Sequence, residues 1–314
     1  MHADLVELGW TEEQWNRIVT TVTEEAQKAR VAAQMLPVAG WGDRTAEAIP
    51  NFRLQDQANQ TLVAPGGVLL APPRRLAVDS DPTLYFSTIA VNVQLRTREM
   101  ADPDLGAALV AFRRASNYIA RIEDALIFNG RPGVDMDPPF GVAIPQVYRV
   151  TGGGAPEGLF PFVNPFGNRI QINVLANAGA TLGDQVVTSI VQAVNALDAA
   201  GQLGPYACAL CPQFFEAICT PNANLVLPRD RILPFIQGPL LRSSAIFEQI
   251  VGPVIQAAWG VVVALSGSPV EIVVGSDIHV HYLQTTSEPR FVFRVAERLA
   301  VRIKETAALA MLFV

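Results

Sequence analysis

Charge is what this sequence has least of. Only 17% of its 314 residues are Asp, Glu, Lys or Arg, while 50% are apolar; average soluble chains carry about 25% charged residues. So thin a charged coat does not comfortably cover a free-standing monomer of this size. The chain either enters a membrane or gives much of its surface to other proteins. It also lacks the means for the first, because no uninterrupted apolar run approaches the roughly 18 residues needed to cross a bilayer. The greasiest stretch, PVIQAAWGVVVAL, is broken by Gln256 and bounded by Gly252, Ser266 and Gly267, and reads as buried core. What remains is a large apolar interface between subunits, of the kind obligate oligomers bury.

Other absences narrow the class further. The opening MHADLVELGW has no basic region leading into an apolar one, so no secretory signal is expected. The net charge is −6 and the basic residues are scattered, which speaks against a nucleic-acid groove. Three cysteines are an odd number, better suited to a reducing cytoplasm than to a disulfide framework.

Catalytic chemistry is just as sparse. Cys208 and Cys211 form a C-x-x-C pair with Cys219 beyond, but a structural zinc takes four ligands at defined spacings, and no second C-x-x-C or H-x-x-x-H accompanies them. The strand-like ACAL before Cys211 does not offer the helix start that activates thioredoxin-type thiols, so these read as buried apolar cysteines. His279 and His281 share one side of a strand and could grip a metal; the third imidazole is His2, and a sheet surface or subunit contact is the plainer reading. There is no G-x-S-x-G elbow, and SGS at Ser266–Ser268 lacks the flanking pattern. Gly152–Gly154 is not followed by a helix that would receive a phosphate. Glu123 and Asp124 are adjacent, yet neighbours on a helix point about 100° apart and cannot converge on one atom. Solvated or interface-pairing charge is expected of them. No catalytic residue, metal or cofactor is predicted.

What is present is a set of well-punctuated elements. Thr11 and Gln14 have the spacing of a capping box, and Trp15, Ile18, Val19 and Val22 form one apolar stripe, so a helix is predicted from about Thr11 to Met35, stopped by Pro37. Residues 37–100 are rich in Pro and Gly with short alternating pieces, an extended β excursion with too little apolar surface to bury against itself. Asp102-Pro103 opens a long helix that runs down one apolar face to a left-handed cap at Gly130. Another amphipathic helix is predicted from Asp184 to Ala200, closed by Gly201. GPYACALCPQFFEAI reads as a turn, a buried strand, a proline and a helix start. Residues 220–245 read as a loop with a surface role. Three strand faces follow, carried by Ile278, Val280 and Tyr282, by Phe291, Phe293 and Val295, and by Leu299, Val301 and Ile303. The closing LAMLFV is expected to dock. The class is α+β.

Several of these stretches carry a family likeness. EDALIFNG, GPYACALCPQFFEAI and FVFRVAERLAVRIKETAALAMLF resemble, in order and spacing, stretches of the encapsulins, the linocin-type shell proteins. WTEEQWNRIVTTVTEEAQKA is similar to the N-terminal helix of the classical first family. The sequence departs from that pattern in longer segments at 141–183 and 221–244, and in L-C-P at Leu210–Pro212 where the family has L-S-P.

The resemblance implies a tailed-phage major-capsid fold of the Hong Kong 97 type. Residues 1–50 would hold the N-terminal helix and the start of the peripheral domain, and 51–100 an extended β loop pairing with a neighbour. Residues 101–183 would be the peripheral domain with its long spine helix and an inserted loop, 184–265 the axial domain, and 266–314 the strands returning to the peripheral domain. The implied function is a self-assembling icosahedral shell in the cytoplasm, pierced by pores for small substrates. Its partners would be copies of itself and a cargo enzyme, peroxidase or ferritin-like, captured by a short targeting peptide; neither nucleic acid nor membrane is implied. Trp15, Ile18 and Val22 are expected in the cargo groove, Glu123, Asp124, Arg74 and Arg75 at inter-subunit or structural positions, and Arg229, Asp230 and Arg231 in a pore loop. The alternatives are a phage or prophage major capsid protein packaging DNA and, from another class, a soluble thiol or metal enzyme.

Overall fold

A computed structural model describes the chain except for residues 1–8, 44, 58–61, 64–68, 71–74, 80–82, 137–146, 155–157, 161–169, 175–180, 223–224, 247, 252–253 and 289. Helix α1 spans Glu12–Ala29. Its capping box is formed as predicted: Gln14 N donates to Thr11 Oγ1 at 3.2 Å, and Thr11 N to Gln14 Oε1 at 3.0 Å. The helix stops six residues short of Met35, because Arg30 is extended and the chain re-enters helix only as α2, Ala32–Met35. The side chain of Asp124 captures the N–H groups of Val31 and Ala32, which a continuous helix would have spent on its own carbonyls.

Strand β1 (Val38–Gly40) leads into six short strands: β2 (Ala48–Pro50), β3 (Arg53–Gln57), β4 (Leu62–Val63), β5 (Leu69–Leu70), β6 (Arg75–Asp79) and β7 (Thr83–Tyr85). They pair antiparallel in nested fashion, β2 with β7, β3 with β6 and β4 with β5. The described parts of 48–85 are therefore nested two-stranded pairs, here called the ribbon, and among the described residues their strands pair with nothing else. The excursion expected over 37–100 is narrower than read, since residues 38–40 and 87–96 belong to the main sheet; what stands apart cannot support itself, because an isolated two-stranded hairpin is marginal in water.

Strand β8 (Ser87–Arg96), the one-turn helix α3 (Thr97–Met100) and the long helix α4 (Gly106–Met136) follow. Asp102 caps α4 by accepting from Gly106 N at 2.9 Å. Gly130, with φ 69° and ψ 178°, closes the first of two helices within this span, as the sequence predicts, and a second short helix follows across the kink. The Ile127 and Phe128 carbonyls at the kink accept from Leu159 N and Phe160 N, both at 2.8 Å. That close approach explains Gly158, where a Cβ would come within 2.4 Å of the Phe128 oxygen.

Beyond β9 (Tyr148–Gly152) and β10 (Ile170–Asn173) comes α5, Leu182–Ala199. Then β11 (Tyr206–Leu210) and α6 (Pro212–Cys219) give the buried strand and proline-led helix read from GPYACALCPQFFEAI. The predicted loop at 220–245 instead contains helix α7 (Pro228–Ile236) and strand β12 (Gln237–Arg242). Here proline at the first helical turn is a start signal, since it forfeits only an N–H that has no helical partner. The remaining strands are β13 (Glu248–Val251), β14 (Val254–Ala264), β15 (Val270–Thr285), β16 (Arg290–Ile303) and β17 (Leu309–Phe313). Two strand faces predicted separately, Phe291 to Val295 and Leu299 to Ile303, belong to the single strand β16.

The strands make two main sheets. One has the order β1-β15-β16-β8-β9; the other runs β10-β17-β14-β11-β12, with β13 beside β14. Helices α1 and α4 pack on the first, and α5, α6 and α7 surround the second. The last apolar segment docks as expected, and in the interior of its sheet, between β10 and β14. At the node of the first layer, Phe293 is fully buried, stacked on Trp10 at 5.2 Å and edge-on to Phe112 at 5.5 Å. Replacing Phe293 with Ala should cost about 3–5 kcal/mol through lost contact and residual cavity; urea denaturation of the full chain would measure it.

Candidate functional site

The densest set of buried polar groups lies where α1 ends. Arg30 donates from Nε to Glu123 Oε2 at 2.5 Å and from Nη2 to Glu297 Oε1, and both guanidinium nitrogens reach Asp277 Oδ1 at 3.4 Å. Glu123 and Glu297 are 2% and 0% exposed. Asp124, also buried, accepts instead from Ala32 N at 2.8 Å and Val31 N at 3.0 Å. Adjacent acids on α4 thus serve two neighbouring tasks, one an ion pair and one a helix cap, as the angle between neighbouring helical residues requires. The cluster joins four elements: Arg30 after α1, Glu123 and Asp124 on α4, Asp277 on β15 and Glu297 on β16.

Burial dominates the electrostatics. It pushes Glu123 up to about 7 despite Arg30, with Asp124 adding to the rise. It pushes Asp124 up to about 7 as well, against the pull of the Ala32 and Val31 amides. Burial, followed by the charge of Glu123, holds Glu297 well above the ordinary carboxylate range. For Arg30 burial works against the charge, but Glu297 and Glu123 outweigh it and the pKa rises. The arrangement can hold a proton and brace a fold. The expectation of solvated or interface-pairing charge at Glu123 and Asp124 is corrected: both are inside the chain, because Arg30 and two backbone amides satisfy them there.

The other predicted residues fare differently. Trp15, Ile18 and Val22 do share one face of α1, but they are 7%, 0% and 1% exposed, packed in the core near Phe293 and α4. They cannot line a groove, so this expectation too is corrected; an apolar stripe on a helix finds its own sheet first. Arg74 lies outside the described residues, and for Arg75 only its place on β6 is described. Arg229, Asp230 and Arg231 are exposed on the first turn of α7 rather than in a loop, with Arg231 Nη1 donating to Asp184 Oδ1 at 2.6 Å. Thr181, and then Arg231, keep Asp184 below the usual carboxylate range.

The cysteines and histidines form no centre. Cys208 and Cys211 are fully buried, and burial pushes the Cys208 thiol up, away from the reactive thiolate. Contrary to expectation, Cys211 does stand at a helix start, as the residue before α6, but without exposure. His279 and His281 stack at 5.4 Å on one face of β15. Among the described residues no three His, Cys, Asp or Glu side chains gather in a way that could hold a metal, and no helix is long and apolar enough to cross a membrane. Gly152–Gly154, all at positive φ, floor an open cleft of about 530 Å³ at the root of the ribbon, beside Thr45, Tyr85 and Arg298.

Sequence reading missed Arg30 and Glu297. The signal for Glu297 was available, since it alternates with Phe293, Val295, Leu299 and Val301 on a face that is otherwise apolar. Substituting Asp124 with Ala should cost roughly 1–3 kcal/mol for each orphaned N–H, visible as faster hydrogen exchange at Val31 and Ala32 and a lower denaturation midpoint.

Residues 170–300 match a sequence family described as "Encapsulating protein for peroxidase". No curated protein sequence matches the chain. Among known structures it is similar to a virus-like particle from Pyrococcus furiosus, with 13% identity and a TM-score of 0.59 over 96% of this chain and 99% of that one. The capsid of Myoviridae phage XM1 gives 13% identity and a TM-score of 0.57, covering 90% of each chain. The SrpI encapsulin of Synechococcus elongatus gives 12% and 0.55, covering 90% of this chain and 85% of that one. The matched family and folds are those of shell proteins, not enzymes.

Proposed function

We propose that this chain, which has the major-capsid fold of encapsulins and tailed phages, is the repeating subunit of a closed icosahedral shell that encloses a cargo enzyme. The observation that carries the reading is the ribbon of residues 48–85, two strands with no third among the described residues. Its outer edges offer rows of backbone donors and acceptors, and strand addition by a neighbour satisfies them. Repeated heterologous contacts of this kind close into shells when their rotations close. The scarcity of charge fits a subunit whose surface is largely covered by its copies.

The match of residues 170–300 to an encapsulating protein for peroxidase supports a peroxidase as cargo, with a ferritin-like iron oxidase as the other class, held by a short targeting peptide in the cytoplasm. The half built on β10, β17, β14, β11 and β12 is the axial domain in this reading. The exposed Arg229, Asp230 and Arg231 on α7 face a pore through which small substrates pass. Because Trp15, Ile18 and Val22 are core, replacing them with Asp would unfold the subunit rather than empty the shell. The likeness to the phage XM1 capsid favours one second reading, a capsid that packages DNA.

Electron microscopy of the chain expressed alone tests the shell: closed particles are expected, and a dispersed monomer would overturn it. The ratio of ultraviolet absorbance at the nucleic-acid and protein maxima separates a cargo shell, near that of protein alone, from a DNA capsid. Replacing residues 53–79 by a short Gly-Ser turn leaves β2, β7 and β8 in place. That deletion should leave small oligomers in sedimentation velocity in place of particles.

A further inference from the structure

The shell reading gives no task to the buried charges behind α1. Their number does not balance. Asp124 needs no cation, because two backbone amides serve it. Asp277, whose side chain is 63% exposed, reaches Arg30 from water. Inside, two nearly inaccessible carboxylates, Glu123 and Glu297, face a single guanidinium. One negative charge is in excess. A dry site does not hold an uncompensated charge when a proton can remove it, and Glu297 Oε2 is buried with no hydrogen-bond partner among the described residues.

We propose that Glu123 and Glu297 share one proton around Arg30, and that this proton latches the C-terminal end of α1 to α4 and β16, so that its loss at alkaline pH frees that end. The charged and titratable groups facing the pair are Arg30 after α1, Asp124 on α4 and Asp277 on β15.

The release is local because the two ends of α1 are held by different forces. Near its start, Trp10 and Trp15 pack on Phe293, and Trp10 Nε1 donates to the Met100 carbonyl at 3.0 Å. Midway, Ser116 Oγ donates to the Val22 carbonyl at 2.6 Å. None of these contacts titrates in the physiological range. The far end rests on Arg30 and on the Asp124 cap of the α1–α2 bend. Both glutamates bind protons more tightly folded than unfolded, so the direction is set: stability from the latch is fully present at mildly acidic pH. It declines as pH rises from the ordinary carboxylate range through about 7 and beyond. Opening the bend also exposes Asp124, whose own raised pKa pulls the same way.

Hydrogen-exchange mass spectrometry of the intact full-length protein tests the latch, with rates corrected for the intrinsic effect of pH. Protection of residues 26–36, relative to α5, should fall about tenfold between about pH 5.5 and about pH 8.5, the effect of roughly one unit of uncompensated shift. Glu297→Gln keeps an acceptor for Arg30 and stays neutral, so it should retain the protection and lose the glutamate part of its pH dependence, leaving only the smaller part that Asp124 contributes. Glu123→Gln should do the same, and serves if the first variant fails to fold. Asp277→Asn, at the solvated side, should behave as the parent. A flat profile in the unmodified protein, or full pH dependence persisting in either glutamine variant, would overturn the proposal.

Discussion

Backbone groups on a strand edge must find partners, and a ribbon of only two strands leaves half of its donors and acceptors facing outward. That single constraint organises the reading of this molecule. Among the described residues, the strands within 48–85 pair only with one another. The sheet at its root is well covered on one face by α1 and α4, so the chain is stable enough to present the arm without being able to complete it. Ordering such an arm is favourable only where a neighbour supplies the missing bonds. Low charge, the two-stranded ribbon and the capsid fold are therefore consistent with one another under the proposed shell function.

Much of the architecture was legible because local signals agreed with the tertiary outcome. The Thr11–Gln14 box, the proline-led starts and the apolar closing strand are each specified within a few residues. Errors arose where a distant group intervened. The bend at Arg30 is made by Asp124, ninety-odd residues away in sequence, and no local propensity at Val31 encodes it. Gly130 ends its helix as read, but the carbonyls before it are satisfied by Leu159 and Phe160 rather than by a local cap, and a second short helix follows. The segment at 220–245 reads as a loop from its prolines, yet Pro228 starts a helix, Pro234 lies within it and Pro239 sits in a strand.

The site was harder to read than the fold. Trp15, Ile18 and Val22 were correctly placed on one face, but periodicity says only that a face is buried, not by what. Glu123 and Asp124 were judged as a pair, whereas the relevant partner of Glu123 is Arg30 and that of Asp124 is the backbone. A pattern search over neighbouring residues cannot find a constellation drawn from two helices and two strands. The inward acid at Glu297, alternating with apolar residues on β16, was the clue the sequence did offer.

The central position of β17 has a consequence for timing. This strand follows every other described strand in the sequence, yet it lies between β10 and β14. A nascent chain still attached to the ribosome at Lys304 lacks the middle of its second sheet, however well the earlier layer has formed. Until β17 is made, β10 and β14 have no strand between them, so the second sheet can close only after the first is complete in sequence.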